Sequence, residues 1–134
     1  MSIRNLLGKE RLYFDGGMGT LLQAKGLKAG DMPELWNMSR PDIIKDIHLA
    51  YLNAGSNIIT SNTFGANCLK FDNLEEIITA AIKNAKKACD GYDAFVALDI
   101  GPTGKLLKPL GDLDFECAVS AFSETVKAGV KAGC

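Results

Sequence analysis

The sequence has one histidine, one tryptophan and no C-x-x-C pair, and these shortages remove several chemistries at once. Its four cysteines, Cys68, Cys89, Cys117 and Cys134, lie far apart with no histidine beside them, whereas zinc sites show closer ligand pairing. They read as ordinary buried or half-buried thiols, and disulfides are not expected in a cytosolic chain of this size. His48 falls mid-helix beside an apolar stripe, with no second ligand or carboxylate at a helical interval, so it builds neither a metal site nor a Ser-His-Asp arrangement. It reads as structural. No apolar run approaches the roughly 18 residues that span a bilayer, and residues 1–5 lack the apolar stretch of a signal peptide. There is no basic cluster, and the formal net charge is −1. Neither a membrane nor nucleic acid is therefore expected as a partner, and a cytoplasmic location is.

What the chain does have is glycine at a telling place. Its 134 residues, 47% hydrophobic and 23% charged, suffice for one domain with a sizeable core. Residues 12–23 read L-Y-F-D-G-G-M-G-T-L-L-Q. Three apolar residues stop at Asp15, then Gly16, Gly17 and Gly19 precede Thr20 and a helix-like start, the pattern of a buried strand ending at a binding loop. Successive free N–H groups in a glycine turn make an anion-binding concavity, while Asp15 supplies the opposite charge. Both signs so close together suit a zwitterion, such as the amino-acid end of a small substrate. A tight strand-to-helix turn with a solvated Asp15 is the plainer reading of the same residues.

The pattern then repeats. A short helix over 20–25 is stopped by Gly26. Residues 27–40 show no clear period; a loop of that length points to function, or to a connection that Trp36 pins to the body. Ser39-Arg40-Pro41-Asp42 predicts a capped helix start. Ile43, Ile44, Ile47, Ala50, Tyr51 and Ala54 follow at helical spacing, with Gly55 as C-cap. Residues 57–60 predict a second strand that runs straight into Ser61-Asn62-Thr63-Phe64-Gly65-Ala66-Asn67. Ile77, Ile78, Ala81, Ile82 and Ala85 mark the next helix, closed by Lys86-Lys87 at the negative end of its dipole. Residues 94–98 predict a third buried strand, ending at Asp99 and a glycine–proline turn. A final helix begins near Asp114, with Phe115, Ala118, Val119, Phe122, Val126 and Val130 on one face.

Three strand–loop–helix units predict a parallel α/β sheet with right-handed crossovers, and place all three polar clusters on the rim at the strands' carboxyl ends. A doubly wound sheet and the N-terminal part of a (β/α)8 barrel both satisfy this. A barrel takes about 250 residues, so the chain would hold about three to four of its units. The helical pattern still running near Cys134 fits a cut barrel. Asp15 and Asp99 are candidates to face one pocket, as an ammonium-binding pair or as acid and base. Ser61, Asn62 and Thr63 offer hydrogen bonds suited to a substrate carboxylate. The glycine loop lacks the Gly-Lys-Ser/Thr ending of a P-loop and fits the dinucleotide fingerprint only loosely, which leaves a phosphate-binding α/β domain as the remaining alternative.

Four stretches, F-D-G-G-M-G-T-L-L-Q, M-P-E-L-W-N, H-L-A-Y-L-N-A-G-S-N-I-I-T-S-N-T-F-G-A-N and D-I-G-P-T-G-K-L-L-K-P-L-G, stand in this order across nearly the whole chain. Together they resemble the homocysteine S-methyltransferase family, and within it the N-terminal homocysteine-binding module of cobalamin-dependent methionine synthases. The resemblance implies a (β/α)8 TIM barrel, of which residues 1–134 form a partial homocysteine-binding domain. It implies transfer of a methyl group to the homocysteine thiol to make methionine. Asp15 with Gly16 and Gly17 is implied to approach homocysteine, Asp15 facing its ammonium; Ser61, Asn62 and Thr63 are implied at its polar end, and Asp99 at the third-strand terminus.

The family activates the thiol as a zinc-bound thiolate. Its zinc cysteines come from strands late in the barrel, and Cys68, Cys89, Cys117 and Cys134 match none of those positions. The domain is thus expected to stop short of the zinc-ligand cysteines, with no metal ligand and no catalytic residue carried over. Methylcobalamin and 5-methyltetrahydrofolate are implied through other modules, and this piece alone is expected to be inactive. A non-catalytic half-barrel that assembles with a partner chain, or with itself, through the open edges of its first and third strands is the competing reading.

Overall fold

The computed structural model describes residues 2–134. A single turn of 3-10 helix at Ile3–Asn5 leads to the first strand position, and a short helix α1, Gly19–Ala24, follows the glycine loop. After it come a 3-10 turn at Pro33–Leu35, α2 at Trp36–Ser39, α3 at Pro41–Asn53, β1 at Ile58–Thr60, α4 at Leu74–Cys89, β2 at Phe95–Ala97 and α5 at Phe115–Ala132. β1 and β2 pair in parallel, Ile58 with Phe95, Ile59 with Val96 and Thr60 with Ala97. On the other edge of β1, Phe14 makes one parallel bridge to Ile58. All three strand positions thus run the same way, with helices in both connections between them, as the sequence pattern predicts.

The first strand differs from its expected form. It is reduced to that bridge, and Tyr13 and Phe14 are 56% and 61% exposed. The reason is one-sided cover. Ile59 has no exposure and packs with Leu52 of α3 and with Ala85 and Ala88 of α4. Phe14, Ile58 and Phe95 stand in register on the opposite face, because alternate strand residues point to opposite sides. Ile58 is sheltered between its neighbours, Phe95 is half-buried, and Phe14 at the edge is left in solvent.

α4 is the keystone of the packing. Ile77, Ile78, Ala81, Ile82 and Ala85 are all without exposure, and each fully buried isoleucine contributes on the order of 1.5–3 kcal/mol. Ile77, Ile78 and Ile82 form one core with Ala66, Phe71, Leu74 and Ala128. A second core gathers Leu22, Trp36, Ile44 and Ile47 beneath the residue 27–40 stretch. Trp36 therefore does pin that stretch to the body, and Arg40 stacks over its ring at 4.5 Å.

α5 turns its bulky stripe outward. Ala118, Ala121, Thr125, Ala128 and Gly129 are buried, whereas Phe115, Val119, Phe122, Val126 and Val130 are exposed. Small residues let this helix approach closely: a Cβ on Gly129 would lie 2.5 Å from Leu98 Cδ2. Thr125 Oγ1 donates to the Ala66 carbonyl at 3.2 Å across the same contact.

Three smaller readings are corrected. Ser39 does not cap α3; as the last residue of α2 it donates back to Leu35 O at 3.2 Å, and Arg40 takes the N-cap position. Cys68 and Cys89 are half-buried, but Cys117 and Cys134 are exposed. His48 lies inside the core, with no exposure, because α3 packs on α4 along that face. Among the described residues no helix is long and apolar enough to cross a membrane.

Candidate functional site

Each polar cluster follows a strand position, and the parallel sheet brings the three together at one rim. Asp15 ends the first strand, where its backbone N–H donates to Ile58 O at 2.9 Å. Its carboxylate accepts from Thr60 twice, from the N–H at 3.0 Å and from the hydroxyl at 2.8 Å. Burial nevertheless raises its pKa above the usual carboxylate value, against the lowering effect of those bonds. Asp99 is shifted upward too, first by burial and second by the charge of Asp15.

Ser61 and Thr63 sit between them and bind the loop after β1 to the loop after β2. Thr63 Oγ1 donates to the Asp99 carbonyl at 2.7 Å, and Ser61 Oγ and Thr63 Oγ1 are 2.7 Å apart. Since the Thr63 proton is committed to Asp99, the Ser61 hydroxyl must be the donor to Thr63. Ser61 Oγ in turn accepts the Asp99 N–H at 3.2 Å. The ring Asp99 N–H, Ser61, Thr63, Asp99 C=O is thereby closed. Asn62 is committed elsewhere: its Nδ2 donates to Pro33 O at 2.9 Å and to Asn37 Oδ1 at 3.3 Å. Asn37 Nδ2 answers by donating to Asn62 O at 2.8 Å, and Asn84 Nδ2 donates to Asn37 O at 2.9 Å.

Ser61, Asn62 and Thr63 are thus at the rim, as the sequence order requires, but their side-chain donors serve the protein. Buried hydroxyls and amides must be paired, and these three are 2%, 6% and 0% exposed. The backbone is freer. The N–H groups of Asn62 and Phe64 have no acceptor among the described residues, and both residues line a cavity of about 320 Å³. The glycine loop from Gly16 to Gly19, Thr60 and Ser61 at the end of β1, and Asp99 after β2 line it as well. Gly16 is held close by Tyr51, whose hydroxyl donates to Gly17 O at 2.7 Å. A Cβ on Gly16 would lie 3.0 Å from that hydroxyl oxygen. Asp15 stands behind Thr60 rather than in the lining.

The remaining wall contains a residue that the sequence reading passed over. Glu34 is 6% exposed, lines the cavity beside Pro33, and accepts the Gly65 N–H at 2.6 Å. It stands in the M-P-E-L-W-N stretch, where the absence of any period hid which residues turn inward. With it the cavity presents two carboxylates, Glu34 and Asp99, and no lysine, arginine or histidine. Such a lining favours a cationic group and opposes a phosphate.

Among the described residues no group of three or more His, Cys, Asp or Glu stands close enough to hold a metal ion. His48, the one imidazole, is buried without a hydrogen-bond partner among the described residues, and burial lowers its pKa to about 4.

A profile of the family described as homocysteine S-methyltransferase matches residues 12–134. The chain belongs to that family. Its curated relatives include the methionine synthases of Mycobacterium tuberculosis, 28% identical over 137 residues, and of Mycobacterium leprae, 27% identical over 136 residues. Those alignments cover 90% and 89% of this chain but 11% of each relative. Among solved structures, the oxidised form of the homocysteine methyltransferase MmuM from Escherichia coli superposes with a TM-score of 0.80 at 24% identity, over 98% of this chain and 53% of that one. Its apo form gives 0.73 at 27% identity, over 98% and 50%. This homocysteine S-methyltransferase segment thus spans about half of a solved barrel relative and about a tenth of the curated methionine synthases.

Proposed function

We propose that this segment supplies the amino-acid end of a homocysteine-binding site, as the first three to four β/α units of a (β/α)8 barrel whose complete form transfers a methyl group to the homocysteine thiol. The observation that carries the reading is the rim. Asp15 and Asp99 follow the parallel strand positions on either side of β1, Ser61 and Thr63 lock the loops after β1 and β2 together, and free backbone N–H groups border the cavity that Asp99 lines. Asp99 and Glu34, the carboxylates that line the cavity, suit the substrate's ammonium, with Asp15 fastened to Thr60 outside the lining, and the amides of Asn62, Phe64 and the Gly16–Gly17 turn suit its carboxylate. The lack of basic residues in the lining argues against a phosphate ligand.

Thiol activation belongs elsewhere in this scheme. A zinc-bound thiolate needs ligands this segment does not offer, so the metal, and the methylcobalamin and 5-methyltetrahydrofolate of a methionine synthase-like protein, would be held by other parts. Titration of the 134-residue chain with L-homocysteine, followed by amide shifts, tests the binding claim. Shifts confined to residues 15–19, 60–65 and 99 are expected. Equal response to inorganic phosphate, or no response at those residues, overturns it. Zinc-dependent turnover of homocysteine with methylcobalamin by this chain alone would refute the division of labour.

A second reading, assembly of a half-barrel with a partner chain, draws on the exposed stripe of α5 and on the two open sheet edges at Phe14 and β2. Sedimentation at several concentrations separates the cases, since a persistently monomeric, folded species excludes obligatory self-assembly.

A further inference from the structure

We infer that Glu34 is a positioning residue: its carboxylate, fastened on the Gly65 N–H, latches the residue 32–37 strap to the loop after β1 and so sets the wall of the cavity. The amino-acid part of this inference rests on the proposed homocysteine reading; the latch itself does not. Glu34 is buried and its Oε1 accepts the Gly65 N–H at 2.6 Å, a charge-assisted bond of the stronger kind. The strap makes two further attachments at the same loop, through Asn62 to Pro33 and through Asn37 to Asn62. Counting the Asn62 Nδ2 bond to Asn37 Oδ1, four bonds join the strap to residues 62–65, the stretch that also carries the two free N–H groups at the cavity.

Position 65 is shaped for this contact. A Cβ there would lie 2.5 Å from Glu34 Oε1 and 3.2 Å from Cδ. Gly65 does not have a positive φ, so no left-handed turn demands glycine. The close approach of the carboxylate does. Gly65 and Glu34 are therefore a matched pair, one leaving the room that the other fills.

The two oxygens of Glu34 have different duties. Oε1 is spent on Gly65, while Oε2 has no hydrogen-bond partner among the described residues. It is not among the buried unpartnered atoms either, so it keeps some contact with solvent or with the cavity. A latch through Oε1 requires an acceptor but not a charge, which separates positioning from direct grip on an ammonium.

Backbone amide exchange in the full 134-residue chain tests this, with Glu34→Ala, Glu34→Gln and Gly65→Ala. In Glu34→Ala the Gly65 amide should exchange about tenfold faster or more, because a lost charge-assisted bond is worth at least that factor. Ile78 and Ile82 in α4 should stay within about twofold, as expected of a local opening. Glu34→Gln, whose amide oxygen still accepts, should restore Gly65 to within about threefold of the parent. Gly65→Ala should loosen the strap in the parent but have little added effect in the Glu34→Ala background, where the clash is gone. An unchanged Gly65 amide in Glu34→Ala, equal acceleration in α4, or a Gln variant as fast as the Ala variant would each overturn the latch. If L-homocysteine binds the parent, Glu34→Ala should weaken it more than Glu34→Gln, which keeps the latch and loses only the charge in the lining. Failure of the parent to bind, with the exchange pattern intact, sinks the homocysteine reading and leaves the latch standing.

Discussion

Replacing His48 with leucine should flatten the response of this protein to mild acid. His48 has no exposure, and neither ring nitrogen has a hydrogen-bond partner among the described residues. Burial lowers its pKa from 6.5 to about 4. The unfolded chain thus takes up a proton near 6.5, while the folded chain resists until about 4. Throughout that window the unfolded state binds more protons, so stability is full above it, falls as pH falls, and levels off below about 4. The whole gap corresponds to roughly 3 kcal/mol at about 1.4 kcal/mol per pK unit. About 2 kcal/mol of it is lost between about pH 7 and pH 5.

The raised carboxylates act with the opposite sign. Asp15 and Asp99 hold a proton more readily when folded, so they favour the folded state as pH falls. Both are partly exposed and screened by solvent. Comparing parent and His48→Leu cancels their share. Urea unfolding followed by circular dichroism should show the parent midpoint dropping by about 1 M between about pH 7 and pH 5, for a slope of about 1.5–2 kcal/mol/M. The leucine variant should move by less than about a third of that. It should also be at least as stable as the parent near neutrality, since two unsatisfied buried nitrogens are removed at similar volume. Parallel midpoint shifts in the two proteins would refute the account.

Thr63→Val keeps the shape of a fully buried residue but opens the ring between the two rim loops. A loss of about 1–3 kcal/mol in urea unfolding is expected, from the stranded Ser61 hydroxyl and Asp99 carbonyl. Gly101→Ala should cost about 1–3 kcal/mol, because a Cβ there runs into the Phe64 carbonyl that accepts the Gly101 N–H at 3.0 Å. Its thermal melt should fall, and any homocysteine affinity with it. Paired changes on α5, Val119→Lys with Val126→Glu, should alter stability by no more than about 0.5 kcal/mol while reducing any self-association seen by sedimentation. A large drop in stability there would mean that the stripe is already covered.

Much of the scaffold can be read from residue order, because its signals are local. The periodic isoleucines of α4 and the stretch from Pro41 to Gly55 announce helices by spacing alone. Polar clusters just after Phe14, Thr60 and Leu98 reach one rim because the strands run parallel. What spacing cannot show is whether a polar side chain faces a ligand or another part of the protein. Asn62 could serve a carboxylate equally well in sequence, yet its amide is used up on Pro33 and Asn37. Glu34 escapes notice for a related reason: its partner, Gly65, is 31 positions away. The α5 stripe misleads in another manner. Bulky apolar residues mark one face of a helix, but Gly129 and its alanine neighbours decide which face goes inward, through close approach rather than hydrophobicity.

The amide cluster around Asn37 has a consequence for the order in which the chain takes shape. Its partners Asn62 and Asn84 lie 25 and 47 positions downstream, so these bonds close only after β1 and α4 have been laid down. Long loops must be closed before such contacts give any return. The strap is accordingly expected to settle late, and Trp36 completes the core of Leu22, Ile44 and Ile47 only at that step. Its opening would uncover that core while leaving the separate Ile77, Ile78 and Ile82 core of α4 in place.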